Sequence, residues 1–469
     1  MKKQKIIYSL SKISKIISDD NNSQKLLSHC KDWRGRYSNK CICVSFPKNE
    51  TELIKILEFC NKNKIKVIPQ GGNTSLVGGA TPNYDNKEVI INLSKLNKII
   101  EIDNINMIAT AQAGVIIDDL ENQLNRQNLM LPIKLASSGT CQVGGVIATN
   151  AGGINVIKYG SIRNNLIAID IILPNGEKLE LGKKVKKDNT GYDIKSLFIA
   201  SEGTLGIITK ATFQLYPLPK EYCNCFISTD SIDNAVKIFT KIQKKFSDTL
   251  ESCELIPHIA FDLCIKHKLI SKKIFEHKSN FYILCKFTSS GDNSFFLDFL
   301  SNFINKNNKL INEILIAQNE KQSYHFWNFR DLMVEAQKLE GKLLGYDISV
   351  PLSEIQKFTL NSMKKINNIV PGIRLYCFGH LGDSNLHFNL IEPINRNDDF
   401  YFYEDKISSI ILDEVKKYSG SISAEHGIGR LKKNSFLNFK KGNEIATMKN
   451  IKKIFDPNNI MNIGKLFDI

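Results

Sequence analysis

Residues 137–161, SSGTCQVGGVIATNAGGINVIKYGS, hold six glycines in 25 positions and are the strongest local indication of the fold. The glycines are Gly139, Gly144, Gly145, Gly152, Gly153 and Gly160. Glycine loses more conformational freedom on folding than other residues, so such density weakens any helix or strand. A set of tight turns is one interpretation. The other is a loop whose bare backbone must approach a flat ligand.

Two more glycine-rich loops lie in the same half of the chain, where 16 of the 28 glycines fall between Gly71 and Gly206. Residues 69–79, PQGGNTSLVGG, follow a predicted strand, and their N–H groups with the Thr74 and Ser75 hydroxyls can form a nest for phosphate oxygens. The loop matches neither a Walker loop nor a G-x-G-x-x-G fingerprint. Residues 201–209, SEGTLGIIT, run into another predicted strand and can lie along an adenine. Three such loops favour a large cofactor.

Short strands and helices alternate around these loops. Strands are predicted at 66–69, 89–93, 107–114 and 208–217, and two more within 166–181 are joined by a Pro-Asn-Gly turn. Helices are predicted at 51–63, behind a Thr51 cap, and at 115–128. After Lys220 longer helical periods appear at 232–246, 293–304, 353–366 and 404–418, with strands at 281–287 and 374–380. The pattern predicts an α+β protein with domains at 1–219 and 220–419 and a segment, 420–469, that packs back on the rest.

The composition excludes several classes of protein. With 42% hydrophobic and 24% charged residues the chain of 469 residues is typical of soluble globular proteins. Its apolar runs are shorter than the ~20 residues of a membrane-spanning helix. The first 20 residues interrupt their apolar stretch with Ser and Lys, so we expect no secretory signal and a cytoplasmic protein, with a membrane-facing basic patch at the inner face of the membrane left open.

Charge and cysteine content limit the possible binding partners and the cellular compartment. The net charge of +15 comes from scattered Lys, since only eight of the 63 basic residues are Arg. Without basic runs interleaved with aromatics, nucleic-acid binding is not expected. The eleven Cys form no C-x-x-C pair, which indicates buried thiols in a reducing compartment and no iron–sulfur domain in this chain. Electrons, if any move, must leave through another protein or a soluble acceptor.

Six motifs, in order, resemble the FAD-dependent D-2-hydroxyacid dehydrogenases of the vanillyl-alcohol-oxidase (PCMH-type) superfamily, which include D-2-hydroxyglutarate dehydrogenase, D-lactate dehydrogenase and the flavoprotein of glycolate oxidase. They are PQGGNTSLVGG, ATNAGG, KYGSIR, KDNTGYDIKSLFIASEGTLGIIT, GHLGDSNLH and AEHGIG. The resemblance runs from about Asp32 to Lys465. It implies a PCMH-type FAD-binding domain and a ferredoxin-like α+β substrate domain.

The resemblance also implies where FAD is held. Residues 69–75 would hold the pyrophosphate, 139–153 would run beside the flavin and 203–208 beside the adenine and ribose. The implied cofactor residues are Pro69, Gln70, Gly71, Gly72, Asn73, Thr74, Ser75, Pro132, Ser138, Gly139, Thr140, Gly144, Gly145, Asn150, Ala151, Gly152, Gly153, Gly203, Gly206, Ile207, Ile208 and Asn462. No His lies in these loops, so we expect non-covalent FAD.

A second constellation lies near the carboxyl end. His380 and His387 flank Gly-Asp-Ser-Asn, and a hairpin centred between Asp383 and Ser384 would place the two His opposite each other, as a shared metal requires. Two His at a polar turn without a metal is the alternative. Glu425 and His426 in SAEHGIG favour the metal, because a carboxylate beside a further His is costly in a plain core.

In the resembled family the positions of His380, His387 and Glu425 bind zinc, although two His and a carboxylate also suit Mn²⁺ or Fe²⁺. A metal on the substrate hydroxyl would lower its pKa while hydride passes to flavin N5. The resemblance makes His426 the general base. Arg330 would clamp the substrate carboxylate, a surface salt bridge being its alternative, and Asn389 would steady substrate or a ligand.

Two departures bear on the substrate. Where the hydroxyglutarate enzymes carry a Thr and a Lys for the distal carboxylate, this chain has Val334 and Gly345, unless Lys338 or Lys342 compensates. D-lactate or glycolate is therefore as well supported as D-2-hydroxyglutarate, and we expect an active site between the domains. Expected partners are an acceptor protein or quinone, such as an electron-transfer flavoprotein or iron–sulfur protein, and a second copy in a homodimer. A direct oxidase and a flavin subunit inactive alone are the alternatives.

Overall fold

The computed structural model describes residues 1–271, 273–289, 300, 302–303, 306–394 and 399–469. The strands are β1 Lys15–Ile17, β2 Cys43–Phe46, β3 Lys66–Gln70, β4 Glu88–Asn92, β5 Ile99–Asp103, β6 Ile108–Gln112, β7 Leu129–Met130, β8 Leu166–Ile172, β9 Lys178–Leu181, β10 Ile207–Gln214, β11 Tyr216–Pro217, β12 Glu221–Thr229, β13 Leu250–Pro257, β14 Phe281–Ser289, β15 Glu313–Ile316, β16 Leu343–Ser349, β17 Arg374–His380 and β18 Asn385–Ile391.

The α-helices are α1 Lys3–Ser11, α2 Asp19–Cys30, α3 Glu50–Lys62, α4 Ile117–Asn125, α5 Val143–Ala148, α6 Val156–Tyr159, α7 Ile162–Asn165, α8 Lys195–Phe198, α9 Ile232–Phe246, α10 His258–Lys266, α11 Glu320–Leu339, α12 Ile355–Ile369, α13 Glu404–Lys417, α14 Lys433–Phe439 and α15 Gly442–Phe455. Short 3₁₀ turns cover Leu352–Glu354, Leu381–Asp383 and Phe400–Tyr403. The helix predicted at 293–304 falls largely outside the described residues. Helices and sheets are both present, and the α+β fold class is confirmed.

The chain divides into two compact units. The first unit comprises Met1–Gly153, Gly160–Leu218 and Glu425–Ile469, and the second comprises Ile154–Tyr159 and Pro219–Ala424. The short segment Ile154–Tyr159, placed by the sequence analysis in the first domain, belongs to the second. Its helix packs there because the Ile157 side chain fills the space above Gly382, where a Cβ would lie only 1.8 Å from it.

The first unit contains a four-stranded sheet in the order β1-β2-β4-β3 and a five-stranded sheet in the order β5-β6-β10-β8-β9. Strands β2, β4 and β3 run parallel, and β2 and β4 are buried along their whole length, with the apolar residues 89–91 at the centre of β4. Helix α3 begins at Glu50, one residue before the predicted start. Asn49 caps it by accepting the Glu52 N–H at 2.9 Å, so the predicted Thr51 cap was wrong.

The carboxyl-terminal segment is part of the first unit. The Ile460 carbonyl accepts the Val67 N–H at 2.9 Å, and the Val67 carbonyl accepts the Asn462 N–H at 2.8 Å. The buried ammonium of Lys452 donates to the Thr204 carbonyl at 2.8 Å and to the Met461 carbonyl at 3.0 Å. Because a buried cation needs such partners, these bonds hold the chain end beside the glycine-rich loop at 201–206.

The second unit is built on a seven-stranded sheet in the order β15-β12-β14-β13-β17-β18-β16, in which neighbouring strands are antiparallel. Aromatic side chains fill one side of it; the rings of Phe261 and Phe329 stack at 4.2 Å. Helix α9 spans the residues that the sequence pattern predicts. Strands β13, β17 and β18 lie side by side, and they carry the polar residues described next.

No helix among the described residues has the length and apolar character needed to cross a bilayer.

Candidate active site

In the first unit, polar side chains fix the loop at 69–79 rather than leaving it open. The Gln70 amide donates to the carbonyls of His29 at 2.8 Å and Ala80 at 2.9 Å. Asn73, with a left-handed φ of 55°, donates to the Lys31 carbonyl at 2.9 Å. The Ser75 hydroxyl accepts the Gly79 N–H at 3.1 Å. These bonds shape a backbone turn before any ligand arrives.

The loop at 69–79 packs directly against the stretch at 137–161, as a shared ligand requires. A Cβ on Gly72 would lie 2.0 Å from the Thr140 carbonyl oxygen, and a Cβ on Gly153 would lie 2.0 Å from that of Lys134. A Cβ on Gly144 would meet the Ala113 side chain at 2.9 Å. At these positions a side chain would clash with the neighbouring chain. Close packing, without any ligand, therefore explains part of the high glycine content.

Gly145 is different, because a Cβ built on it would find open space within 4 Å. Nearby, the buried Gln142 Oε1 has no hydrogen-bond partner among the described residues, and neither does the buried Asn462 Oδ1. Asn462 itself is fixed, since its amide donates to the carbonyls of Gly79 at 3.0 Å and Glu202 at 2.6 Å. Two buried acceptors and open backbone fit a polar ligand such as FAD.

The third loop is anchored by Glu202, a buried carboxylate that the sequence analysis did not single out. Its two oxygens accept the N–H groups of Ile428 at 2.7 Å and Gly429 at 2.8 Å. Burial raises the pKa of Glu202, and these two bonds oppose that rise. Glu202 therefore holds the AEHGIG segment, in which His426 lies partly buried.

The other predicted cofactor residues lie on the same loops, except Pro132, which precedes the stretch at 137–161. Gly203 has a φ of 70° and contacts Pro69; a Cβ there would approach the proline ring within 3.1 Å. Ser138 accepts the Leu135 N–H at 3.0 Å, and Asn150 accepts from the Ser161 hydroxyl at 3.0 Å. The remaining ones are loop, helix or strand-start positions: Gly71, Thr74, Pro132, Gly139, Ala151, Gly152, Gly206, Ile207 and Ile208.

In the second unit, His380 ends β17 and His387 lies in β18, with ring centroids 5.5 Å apart. The predicted register was wrong, because His387 pairs with Phe378 and not with His380. The turn takes up residues 381–384, with Ser384 left-handed at φ 66°, which shifts the register by two residues. A shift of two keeps both His on one face of the sheet.

Glu254 in β13 joins two of the predicted residues, and sequence reasoning missed it. Its side chain is fully buried; one oxygen lies 2.5 Å from His380 Nδ1 and the other accepts from Arg330 Nε at 2.7 Å. Burial would raise the pKa of Glu254, but His380 and Arg330 outweigh it and lower the pKa to about 2. The signal was a Glu within the otherwise apolar end of a strand.

Glu425 completes the constellation. It is bonded to Ala424, the last residue of the second unit, and the preceding chain is fixed there by paired backbone bonds between Ser421 and Ser349 at 2.8 and 3.0 Å. One ligand atom each from His380, His387 and Glu425 can be chosen so that all lie within 4.8 Å of one another. Two imidazoles and a carboxylate this close form a donor set that suits a divalent cation.

Arg330 lies on α11 and is 8% exposed, with its guanidinium 4.8 Å from the centre of the Phe378 ring. The alternative of a surface salt bridge was therefore wrong: its ionic partner is the buried Glu254. Because the contact is made through Nε, the two terminal amino groups remain as donors for another carboxylate.

The buried pair makes Arg330→Ala costly. Removing one partner leaves the Glu254 charge buried and reduces the free energy of unfolding by about 3–5 kcal/mol. Arg126→Ala, at an exposed helix end, should change it by less than ~0.5 kcal/mol. Urea unfolding of both variants measures the difference, and equal stability would mean that the Arg330 and Glu254 pair does not form.

Asn389, the third predicted substrate residue, is buried in β18 and donates to Gln337 Oε1 at 2.8 Å. Opposite it in β16 stands Gly345, where a Cβ would lie 3.1 Å from Asn389 Oδ1. Lys342 pairs with Asp399 at 2.7 Å, and Lys338 is exposed. The polar group that meets Asn389 on α11 is thus the neutral amide of Gln337.

Comparison with known proteins assigns a family to both halves of the chain. Residues 42–182 match a family model described as an FAD binding domain, and residues 218–466 match the C-terminal domain of FAD linked oxidases. The protein superposes on p-cresol methylhydroxylase with a TM-score of 0.77, at 15% identity, over 99% of this chain and 97% of that one. The fold is thus that of a PCMH-type, FAD-binding oxidoreductase.

Related sequences identify the family of oxidoreductases more closely. The chain is 33% identical to the mitochondrial D-2-hydroxyglutarate dehydrogenase of Arabidopsis thaliana, over 97% of this chain and 81% of that protein. It is 32% identical to a D-2-hydroxyglutarate–pyruvate transhydrogenase of Saccharomyces cerevisiae, over 95% and 92%. The chain belongs to the FAD-linked D-2-hydroxyacid dehydrogenase family.

Proposed function

We propose that the protein oxidises a small D-2-hydroxy acid to the 2-oxo acid with FAD and a divalent metal ion. The observation that carries the proposal is the grouping of two His and a carboxylate within 4.8 Å, beside a buried Arg. Relatives named for D-2-hydroxyglutarate support the substrate class. D-lactate and glycolate belong to the same proposal, since Gly345 and Gln337 bring no positive charge for a second carboxylate.

FAD would be held without a covalent bond by the three glycine-rich loops. Gln142 Oε1 and Asn462 Oδ1 are the buried acceptors that it would satisfy, and the open space at Gly145 would admit it. When bound, FAD supplies the acceptor for the Cα hydrogen of the substrate. The loops contribute fixed backbone N–H groups for the diphosphate.

His380, His387 and Glu425 would hold the metal, with zinc as the first choice and Mn²⁺ or Fe²⁺ as alternatives. When bound, a divalent cation lowers the pKa of a substrate hydroxyl and stabilises the alkoxide that forms. His426 takes the hydroxyl proton as general base. The terminal amino groups of Arg330 bind the substrate carboxylate, and Asn389 orients the substrate or a ligand.

The electrons would pass to a separate acceptor, either a protein or a quinone. A flavin subunit that is inactive outside a larger complex is the second candidate, favoured by the absence of any C-x-x-C pair for an iron–sulfur cluster in this sequence. Turnover of an artificial dye by the purified chain alone would exclude it. A homodimer and a cytoplasmic location stay predictions.

Anaerobic bleaching of the bound flavin tests the function before any acceptor is known. The D forms of lactate and 2-hydroxyglutarate, and the achiral glycolate, are mixed with FAD-loaded protein, and the L forms serve as matched controls. We expect at least one D acid or glycolate to reduce the flavin, and the L acids to be at least about 100-fold slower, which corresponds to about 3 kcal/mol of discrimination. Equal rates with D and L acids, or no reduction by any of them, would contradict the proposal.

A further inference from the structure

We propose that Glu254 is a positioning residue that fixes His380 as a metal ligand and Arg330 as a substrate-binding group at once; this inference rests on the proposed function. Glu254 itself touches neither metal nor substrate. It acts through the two residues that do.

Glu254 fixes the orientation and the tautomer of His380. Glu254 and His380 are directly paired across β13 and β17, so the carboxylate and the ring are brought together by backbone register. The 2.5 Å contact to Nδ1 places the imidazole proton on that nitrogen, because a carboxylate accepts and does not donate. The lone pair of the imidazole then lies on Nε2, on the other side of the ring from Glu254. Metal-bound histidines in proteins are commonly held by such a carboxylate.

Glu254 also restricts the orientation of the Arg330 guanidinium. The other Glu254 oxygen accepts from Arg330 Nε at 2.7 Å, and Phe378 lies against the guanidinium at 4.8 Å. The bond through Nε and the neighbouring ring restrict how the guanidinium can turn. Its terminal amino groups therefore point in a direction set by Glu254, and its charge is balanced before substrate binds.

Burying the Glu254 carboxylate costs free energy of folding. Glu254 is fully buried, and a buried carboxylate is strongly unfavourable unless both oxygens are paired. A neutral apolar residue at position 254 could occupy the same place in β13 without that cost. Because the Glu254 carboxylate contacts both His380 and Arg330, we attribute its presence to the active site and not to packing of the core.

The neighbouring Glu251 provides a matched control. It lies on the same strand, is 1% exposed and pairs with Lys286 at 2.8 Å, which is neither a predicted ligand nor a substrate residue. Glu254→Gln and Glu251→Gln thus each remove one buried charge from β13. Only the first should alter the site.

The test measures zinc affinity of FAD-loaded, metal-depleted protein by competition with a chromogenic chelator. Glu254→Gln should weaken zinc binding by roughly 10- to 100-fold, whereas Glu251→Gln should stay within about threefold. With zinc saturating, KM for the best substrate of the panel should rise roughly tenfold in Glu254→Gln, as expected when a group bonded to a charge is disturbed. Unchanged zinc affinity in a folded, FAD-loaded Glu254→Gln would overturn the inference.

Two results separate this inference from the proposed function. If wild type and Glu254→Gln bind zinc with equal affinity, the metal centre is supported but Glu254 has no role in it. If wild type binds no divalent metal, both the proposed metal centre and the role of Glu254 are wrong. If Glu254→Gln does not fold, ¹⁵N-histidine spectra of the wild-type, metal-free protein decide, with His380→Asn for assignment: a proton on His380 Nδ1 supports the role, and one on Nε2 alone contradicts it.

Discussion

Glu425→Gln should yield protein that binds FAD normally but reduces it at least about 10³-fold more slowly with a D-2-hydroxy acid. Gln keeps the size of the side chain and removes its negative charge. An amide oxygen is a weaker ligand for a divalent cation than a carboxylate, so the proposed centre would keep two His and lose its only anionic donor. Stabilisation of a developing alkoxide is worth several kcal/mol, which sets the size of the effect.

The measurement is anaerobic stopped-flow reduction together with metal analysis of the same sample. Glu444→Gln, at a partly exposed position on α15, is the control and should behave as wild type. Glu425→Gln protein that contains metal at wild-type level and is reduced at the wild-type rate would remove Glu425 from the mechanism.

His426→Asn should slow flavin reduction by roughly 10²- to 10⁴-fold, the range expected when a general base is lost. Asn is close in size to His and retains hydrogen-bonding ability, but it cannot take up a proton. The Glu202 bonds to Ile428 and Gly429 should keep the segment in place, so FAD and metal content should not change.

The control for that variant is His277→Asn, at an exposed position in the second unit. Reduction rates are compared at saturating substrate, where binding differences cancel. If His426→Asn and His277→Asn reduce the flavin equally fast, another group takes the proton.

Local features of the fold could be predicted from the sequence. Helix α9 follows from a regular apolar period behind Ser231, whose side chain accepts the Asn234 N–H at 3.1 Å. The hairpin of β17 and β18 was also predicted, but with the wrong register. Register depends on the turn, and a left-handed Ser384 with a short 3₁₀ turn cannot be read from the composition Gly-Asp-Ser-Asn.

Contacts between residues far apart in the sequence could not be predicted from local sequence patterns. Glu254 and His380 are 126 residues apart, and only the adjacency of β13 and β17 brings them together. Glu202 lies within a quoted motif, yet its bonds to a segment 226 residues later give no local signal. The same holds for Ile154–Tyr159, whose assignment to the second unit depends on contacts with Gly382 that periodicity cannot reveal.

On the proposed function, a divalent metal at His380, His387 and Glu425 takes part in the oxidation of a D-2-hydroxy acid. The most direct measurement is anaerobic flavin reduction by the best substrate of the panel, before chelator treatment, after it, and after zinc or manganese is returned. We expect flavin reduction to be lost with the metal while FAD stays bound, and to return when the metal is restored. Reduction at an unchanged rate in metal-free protein would contradict this expectation.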